Sequence, residues 1–176
     1  QVAGFTHAGP PSFRQDIEPI LTRTGCNAGG CHGKLAGQNG FRLSLRGYAP
    51  ELDFDSLVQD LGARRIDPAQ PDDSLVLLKG LGEVPHEGGQ RFEPGSRYHA
   101  TLRAWIAARG PGPAAEAAES DAVALTIYPG DRTLAPGENQ QLLVQAKYPD
   151  GRLRDVTWLT RFFSNDEAVA RVSQAG

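Results

Sequence analysis

Apolar positions recur at helical spacing in two well-separated stretches of the chain. After Ser12, a residue type that caps helices, Phe13, Ile17, Ile20 and Leu21 fall on one helix face. Pro19 lies inside that stripe and is expected to kink or shorten it, because it has no amide to donate. The second stripe, Leu102, Trp105, Ile106 and Arg109, is capped by Ser96 and stopped by Gly110-Pro111. Between the two, Leu52 to Leu61 and Asp73 to Leu81 predict shorter helices. The latter opens with Pro71-Asp72-Asp73-Ser74, which sets acidic charge at the positive end of a helix dipole. The two outer helices are expected to cross, with Phe13 and Ile17 against Leu102, Trp105 and Ile106.

Further on, the period changes to two. Val123, Leu125 and Ile127 alternate with small or polar residues, as do Leu142, Val144 and Ala146. Pro149-Asp150-Gly151 marks a turn, and strands are expected around Val156 to Phe163 and Ala168 to Val172. Such spacing suggests a β-sandwich. About fifty residues are present, against the roughly 100 of an immunoglobulin-type sandwich, so it is expected to be incomplete. The resulting plan is a flexible arm over 1–11, a mainly α domain over 12–109, a linker over 110–121 and an all-β domain over 122–176. The linker assignment rests on the run Gly-Pro-Gly-Pro-Ala-Ala-Glu-Ala-Ala-Glu-Ser-Asp.

Charge and composition narrow the function. The 176 residues carry a formal net charge of -3, so no basic excess exists to neutralise nucleic-acid phosphates. No apolar run reaches the ~20 residues of a membrane helix. Gly 21, Pro 13 and 7% aromatic residues leave little side-chain bulk for a core, as though something else filled part of it. Met is absent, and Gln1 reads as the first residue after removal of a leader.

The two cysteines, Cys26 and Cys31, stand five positions apart and His32 follows directly, in Gly25-Cys26-Asn27-Ala28-Gly29-Gly30-Cys31-His32-Gly33. The common haem-attachment pattern is Cys-x-x-Cys-His. Two thiols must reach two vinyl groups on one porphyrin edge, and the next His must swing under the iron. Here four residues separate the thiols, and Gly29 and Gly30 are expected to let the extra two loop out. Three other readings compete: a Cys26–Cys31 disulfide, a zinc site using Cys26, Cys31 and His32 with one distant ligand, and free structural thiols.

The segments flanking that motif resemble planctomycete-type cytochrome c domains. The likeness runs from Phe13-Arg-Gln-Asp-Ile-Glu-Pro-Ile-Leu21 through the cysteine motif, Gly40-Phe-Arg-Leu-Ser-Leu-Arg-Gly47, Pro71-Asp-Asp-Ser-Leu-Val-Leu-Leu-Lys79 and Val84-Pro-His-Glu-Gly-Gly89 to Leu102-Arg-Ala-Trp-Ile106. The second half resembles a bacterial Ig-like domain of group 2, in Tyr148-Pro-Asp-Gly-Arg-Leu-Arg-Asp-Val-Thr157 and Ser164-Asn-Asp-Glu-Ala-Val-Ala-Arg-Val-Ser173. The resemblance implies one covalent haem c, a place outside the cytoplasmic membrane such as the periplasm, and a module at the front of a larger secreted protein.

His32 is the proximal iron ligand by motif. With no Met present, the sixth ligand is sought among His7, His86 and His99. His86 is favoured, because its loop Glu83-Val-Pro-His-Glu-Gly-Gly-Gln90 precedes the last helix, where the distal Met loop lies in the cytochromes this domain resembles. Pro85 is expected to stiffen that loop, and Gly88 and Gly89 to let backbone pass close to the porphyrin. Two His ligands imply a lower potential than a Met/His pair. Of the arginines at 42, 46, 64, 65 and 91, Arg42 and Arg91 are singled out for the haem propionates. Trp105 is expected to help enclose the porphyrin. Asp53 with Asp55, and Asp72 with Asp73, read as loop or helix-terminal charges rather than metal sites.

The function expected is single-electron transfer with a partner protein or a downstream domain, and no catalysis within this chain. Two alternatives stand beside it. One is a haem-based sensor or peroxidase-like site with an open sixth position. The other is a surface spacer whose cysteines form a disulfide.

Overall fold

A computed structural model describes residues 9–114 and 121–176. The described residues fall into two compact units, 9–114 and 121–176. The first holds the helices and the second a three-stranded antiparallel sheet, so the order expected from the two hydrophobic periods is observed. Among the described residues no helix is long and apolar enough to cross a membrane.

The helical unit opens with a wide π-type turn, Phe13–Ile17, which runs into α1 (Glu18–Arg23). Ser12 Oγ accepts from the Gln15 amide at 3.0 Å and caps it. Pro19 sits in the first turn of α1, where no amide donor is required, so it starts the regular helix instead of kinking it. Next come α2 (Pro50–Val58) and a single turn α3 (Asp60–Ala63), then α4 (Leu75–Leu81) and α5 (Arg97–Ala107). Ser96 caps α5 by accepting from the His99 amide at 3.3 Å.

The acidic residues ahead of α4 lie in a separate 3-10 turn, Pro71–Asp73, and not on the helix dipole. Asp72 instead takes a forked pair from Arg103 of α5 at 2.6 and 2.8 Å. Phe13 packs on Trp105 at 5.6 Å between ring centres and edge-on to Phe54 at 5.4 Å. Phe13 and Trp105 with Ile17, Ile20, Leu57, Leu102 and Ile106 form a fully buried core, and Phe54 lies half-buried at its edge. The predicted crossing of the two outer helical segments is therefore present.

The expected linker does not begin at 110. Gly110 is buried against Trp105, and Trp105 Nε1 donates to the Pro111 carbonyl at 3.0 Å. A Cβ at Gly112 would meet the Phe54 ring at 2.6 Å. Glycine is required there because the chain folds back over aromatic rings. Residues 115–120 of that segment lie outside the described residues, as do 1–8 of the arm.

In the second unit β1 (Ala124–Tyr128), β2 (Leu143–Lys147) and β3 (Leu153–Asp155) pair in order. Leu125 faces Ala146 and Ile127 faces Val144 across the first ladder. Val144, Ala146, Tyr148 and Phe162 are buried. The strands expected over Val156–Phe163 and Ala168–Val172 do not form. Asp155 Oδ1 accepts from the Thr157 amide at 2.9 Å and starts a 3-10 turn, Thr157–Leu159. Asp166 Oδ1 likewise accepts from the Ala168 amide at 2.9 Å. These side-chain-to-backbone bonds compete with ladder pairing and win.

Candidate haem site

α1 ends at Thr24, whose Oγ1 bonds back to the Ile20 carbonyl at 2.7 Å. Gly25 then takes φ +82°, a left-handed turn that throws the cysteine loop off the helix end. The loop closes on itself: the His32 amide donates to the Cys26 carbonyl at 3.0 Å, and the Gly33 amide to the Ala28 carbonyl at 3.0 Å. A Cβ at Gly33 would stand 2.0 Å from the Asn27 carbonyl oxygen, so only glycine fits after His32. The backbone freedom expected of Gly29 and Gly30 is not used. Neither has a positive φ, and Gly30 faces open space. Gly25 and Gly33 are the glycines the loop requires.

Cys26 and Cys31 are both free thiols. Thr24 Oγ1 lies 3.3 Å from Cys26 Sγ, and an Arg91 guanidinium nitrogen donates to Cys31 Sγ at 3.5 Å. Burial pushes the Cys26 thiol above its usual range, with Thr24 and the Arg91 charge acting against it. Both cysteines line a cavity of about 680 Å3, within the ~300–1,000 Å3 typical of ligand and cofactor sites. Leu21 and Leu102 supply apolar wall, and His32 and His86 both face the same space.

The two histidines carry the geometry. Their rings are parallel within 7° and 6.3 Å apart between centres. Each Nδ1 is already engaged by a backbone carbonyl, His32 with Phe41 at 3.0 Å and His86 with Gly89 at 2.9 Å. An N–H donated from Nδ1 fixes the tautomer that leaves Nε2 with its lone pair, as in metal-binding histidines generally. Burial also pushes the His32 pKa below its usual value, the Phe41 carbonyl opposing and the His86, Arg65 and Arg91 charges adding to the fall. The neutral, ligating form is therefore favoured.

Supporting contacts fix both rings. His32 packs on Phe41 at 4.5 Å between centres, and the Arg65 guanidinium covers the other side of Phe41 at 4.5 Å. Arg65 is buried and held by the Ser56 and Gly40 carbonyls at 2.7 and 2.9 Å. On the opposite side, the His86 loop is fixed by Lys79 Nζ on the Pro85 carbonyl and by Gln38 Nε2 on Glu87 at 2.6 Å. A Cβ at Gly88 would meet the Arg91 guanidinium at 2.6 Å and the His86 ring at 2.8 Å, so the two side chains close over that glycine, whereas a Cβ at Gly89 would meet nothing within 4 Å.

The structure sorts the remaining residues. Arg91 lines the cavity between Cys31 and the His86 loop, and Arg64 and Arg65 line it as well. Arg42 does not: its side chain is exposed and outside the cavity wall. Trp105 is also outside it, consumed by aromatic packing with Phe13 and Phe54. His99 is removed from the ligand set. Its Nδ1 accepts from the Gly95 amide at 3.0 Å, its ring stacks near Phe92, and it does not line the cavity. His7 lies outside the described residues. Lys34 and Lys79, which sequence reasoning passed over, add to the cationic wall, where Glu87 is the single acid. Their only signal was position, one just after His32 and the other on the helix before the His86 loop.

Among the described residues, no group of three or more His, Cys, Asp or Glu side chains is arranged to hold a metal ion. A zinc site needs such a group from the protein alone, whereas haem brings four equatorial nitrogens and asks the protein for two axial ligands. His32 and His86, on one cavity with both cysteines, are donors that haem could use. Across known proteins, no family model matches the chain, and no curated protein or solved structure matches it.

Proposed function

We propose that the helical unit is a c-type cytochrome module for single-electron transfer. Cys26 and Cys31 would hold one haem c covalently, and His32 and His86 would bind its iron. The observation that carries this reading is that two histidines with parallel rings, each with Nδ1 engaged by a carbonyl, line one cavity with both cysteines.

When bound, haem c supplies a one-electron couple. The chain's own residues do the rest. The Phe41 and Gly89 carbonyls orient the two rings and raise their basicity as ligands. Leu21, Leu102 and Phe92 exclude water from the apolar wall. Arg64, Arg65 and Arg91 offer forked donors for propionate carboxylates. Paired histidine ligation gives a potential below that of a Met/His cytochrome. The exchange partner is a redox protein or another domain of the same polypeptide, in an extracytoplasmic compartment such as the periplasm.

The second unit is read as part of an Ig-like sandwich serving as a spacer or docking module. Leu125 and Ile127 share the face of buried Ala146 and Val144 yet are 67% and 52% exposed, a face of the kind a second sheet covers.

The test is an absorption spectrum of chain produced with haem-attachment machinery, oxidised and reduced, before and after carbon monoxide. Sharp reduced α and β bands indifferent to carbon monoxide are expected. A spectrum that shifts with carbon monoxide would favour the sensor or peroxidase-like alternative. A colourless chain would sink the haem reading and leave the spacer.

A further inference from the structure

Beneath the cysteine loop lies a polar cluster that the haem site does not use. Glu18 on α1 is 6% exposed and Asp53 on α2 is 0% exposed. Asp53 takes the Ser44 amide on Oδ1 and the Ser44 hydroxyl on Oδ2, the latter at 2.6 Å. Glu18 Oε1 takes Asn27 Nδ2 at 3.0 Å, but Glu18 Oε2 is buried and among the described residues receives no hydrogen bond. The backbone closes over it, since a Cβ at Gly47 would stand 2.5 Å from Glu18 Oε1. Two adjoining buried carboxyls cannot both stay ionised without a cation between them. A proton on Glu18, donated toward Asp53, gives Oε2 the bond it lacks.

The surrounding charges have other partners or act weakly. Arg14 on the N-terminal turn pairs with Glu51 of α2. Asp16 takes the Ser12 amide at 2.9 Å, and Asp55 takes Gln59 at 2.8 Å. Arg46, on the turn that covers Glu18, is exposed. Arg42 is the cation whose charge reaches Asp53.

This pair is wired to both sides of the proximal ligand. Asn27, which binds Glu18, is the residue after Cys26. Ser44, which binds Asp53, follows Leu43, whose amide donates to the His32 carbonyl at 2.8 Å. Phe41, two residues before Leu43, holds His32 Nδ1.

Building on the cytochrome reading above, we propose that the Glu18–Asp53 pair is a redox-linked proton site. On reduction, one electron enters from a one-electron donor and one proton enters from water onto the carboxyl pair. On oxidation both leave, the proton returning to water. The physical cause is charge compensation: the oxidised site carries one more positive charge, which favours the ionised pair across a low-dielectric interior. Burial, followed by the charge of Asp53, already lifts the Glu18 pKa to about 8, so the exchange falls in an accessible pH range.

The experiment is a potentiometric titration of the haem-loaded full chain across pH, with Glu18→Gln beside it. A one-electron, one-proton step has a limiting slope of about 59 mV per pH unit. The wild-type potential should be level in acid, fall toward that slope around and above neutrality, and level again. Glu18→Gln, whose amide mimics the protonated acid, should be level throughout near the wild-type acid value. A level wild-type curve, or a slope that survives Glu18→Gln, would overturn the proposal while leaving the cytochrome reading intact. Should the variant not fold, the redox infrared difference spectrum of the wild type decides. A deuterium-sensitive protonated-carboxyl band gained on reduction supports the proton site, and its absence rejects it. A chain with no Soret band removes the cytochrome reading, and this inference with it.

Discussion

His86 and His99 differ in what their rings face. His86 lines the cavity with Nδ1 tied to the Gly89 carbonyl, whereas His99 spends Nδ1 on the Gly95 amide and does not line it. His86→Ala should convert a carbon-monoxide-resistant low-spin spectrum into one that shifts at once with carbon monoxide. His99→Ala should leave it unchanged. The reverse pattern would show that the sixth ligand was misassigned. Gly33 offers a second single-residue check. Its missing Cβ would sit 2.0 Å from the Asn27 carbonyl, backbone that cannot swing aside. Gly33→Ala should cost roughly 1–3 kcal/mol or more, as overpacking does, and lower covalent haem yield. Intact-mass spectrometry reads the latter, while Gly30→Ala, which meets nothing within 4 Å, serves as control.

At the scale of elements, the fold of the helical unit depends on aromatic packing that stands apart from the cavity. Trp105 on α5 joins the N-terminal turn through Phe13, α2 through Phe54, and the trailing chain through the Pro111 carbonyl. Trp105→Phe removes only the indole donor and should cost about 1 kcal/mol. Trp105→Ala opens a core cavity and should cost about 3–5 kcal/mol. Chemical denaturation measures both. Axial ligation in the folded fraction should be that of the wild type in each, because Trp105 does not touch the cavity. An altered visible spectrum for Trp105→Phe would contradict that placement.

For the molecule as a whole, the buried acid pair sets how stability responds to pH. Glu18 rises from its usual 4.5 to about 8 on folding, so the folded state holds a proton that the unfolded state has released between those values. Its stabilisation is full below about 4.5 and is lost as pH climbs through about 8. Asp53 shifts in the same direction. His32 acts oppositely, but only below its usual 6.5, where the unfolded chain gains the proton first. The clean window is therefore between about 6.5 and 8, where stability should fall with rising pH. Glu18→Gln should flatten that fall, measured as thermal midpoints in a pH series. A wild-type stability that climbs across the window would refute the protonated-pair assignment.

Much of this molecule was readable in one dimension because its signals are local. Helical and alternating periods identified a helical half and a stranded half, Ser12 and Ser96 announced their caps, and Cys26, Cys31 and His32 sit within seven consecutive residues. The resemblance singled out His86 by the place of its loop ahead of the last helix, and the folded chain sets that residue on the cavity with His32. Other features belong to tertiary structure because their partners are distant in sequence. Glu18 and Asp53 lie on different helices and carry no shared motif, so only the folded chain brings the two carboxyls together. Trp105 and Arg42 could not be placed relative to the cavity from their spacing, since a helix stripe does not say which neighbour it faces. The strands expected near the end yielded to Asx turns at Asp155 and Asp166, because a short apolar run pairs only if a neighbouring strand outcompetes its own local bonds. Local chemistry thus named the haem candidates, while long-range packing alone brought His32 and His86 within 6.3 Å on a shared cavity.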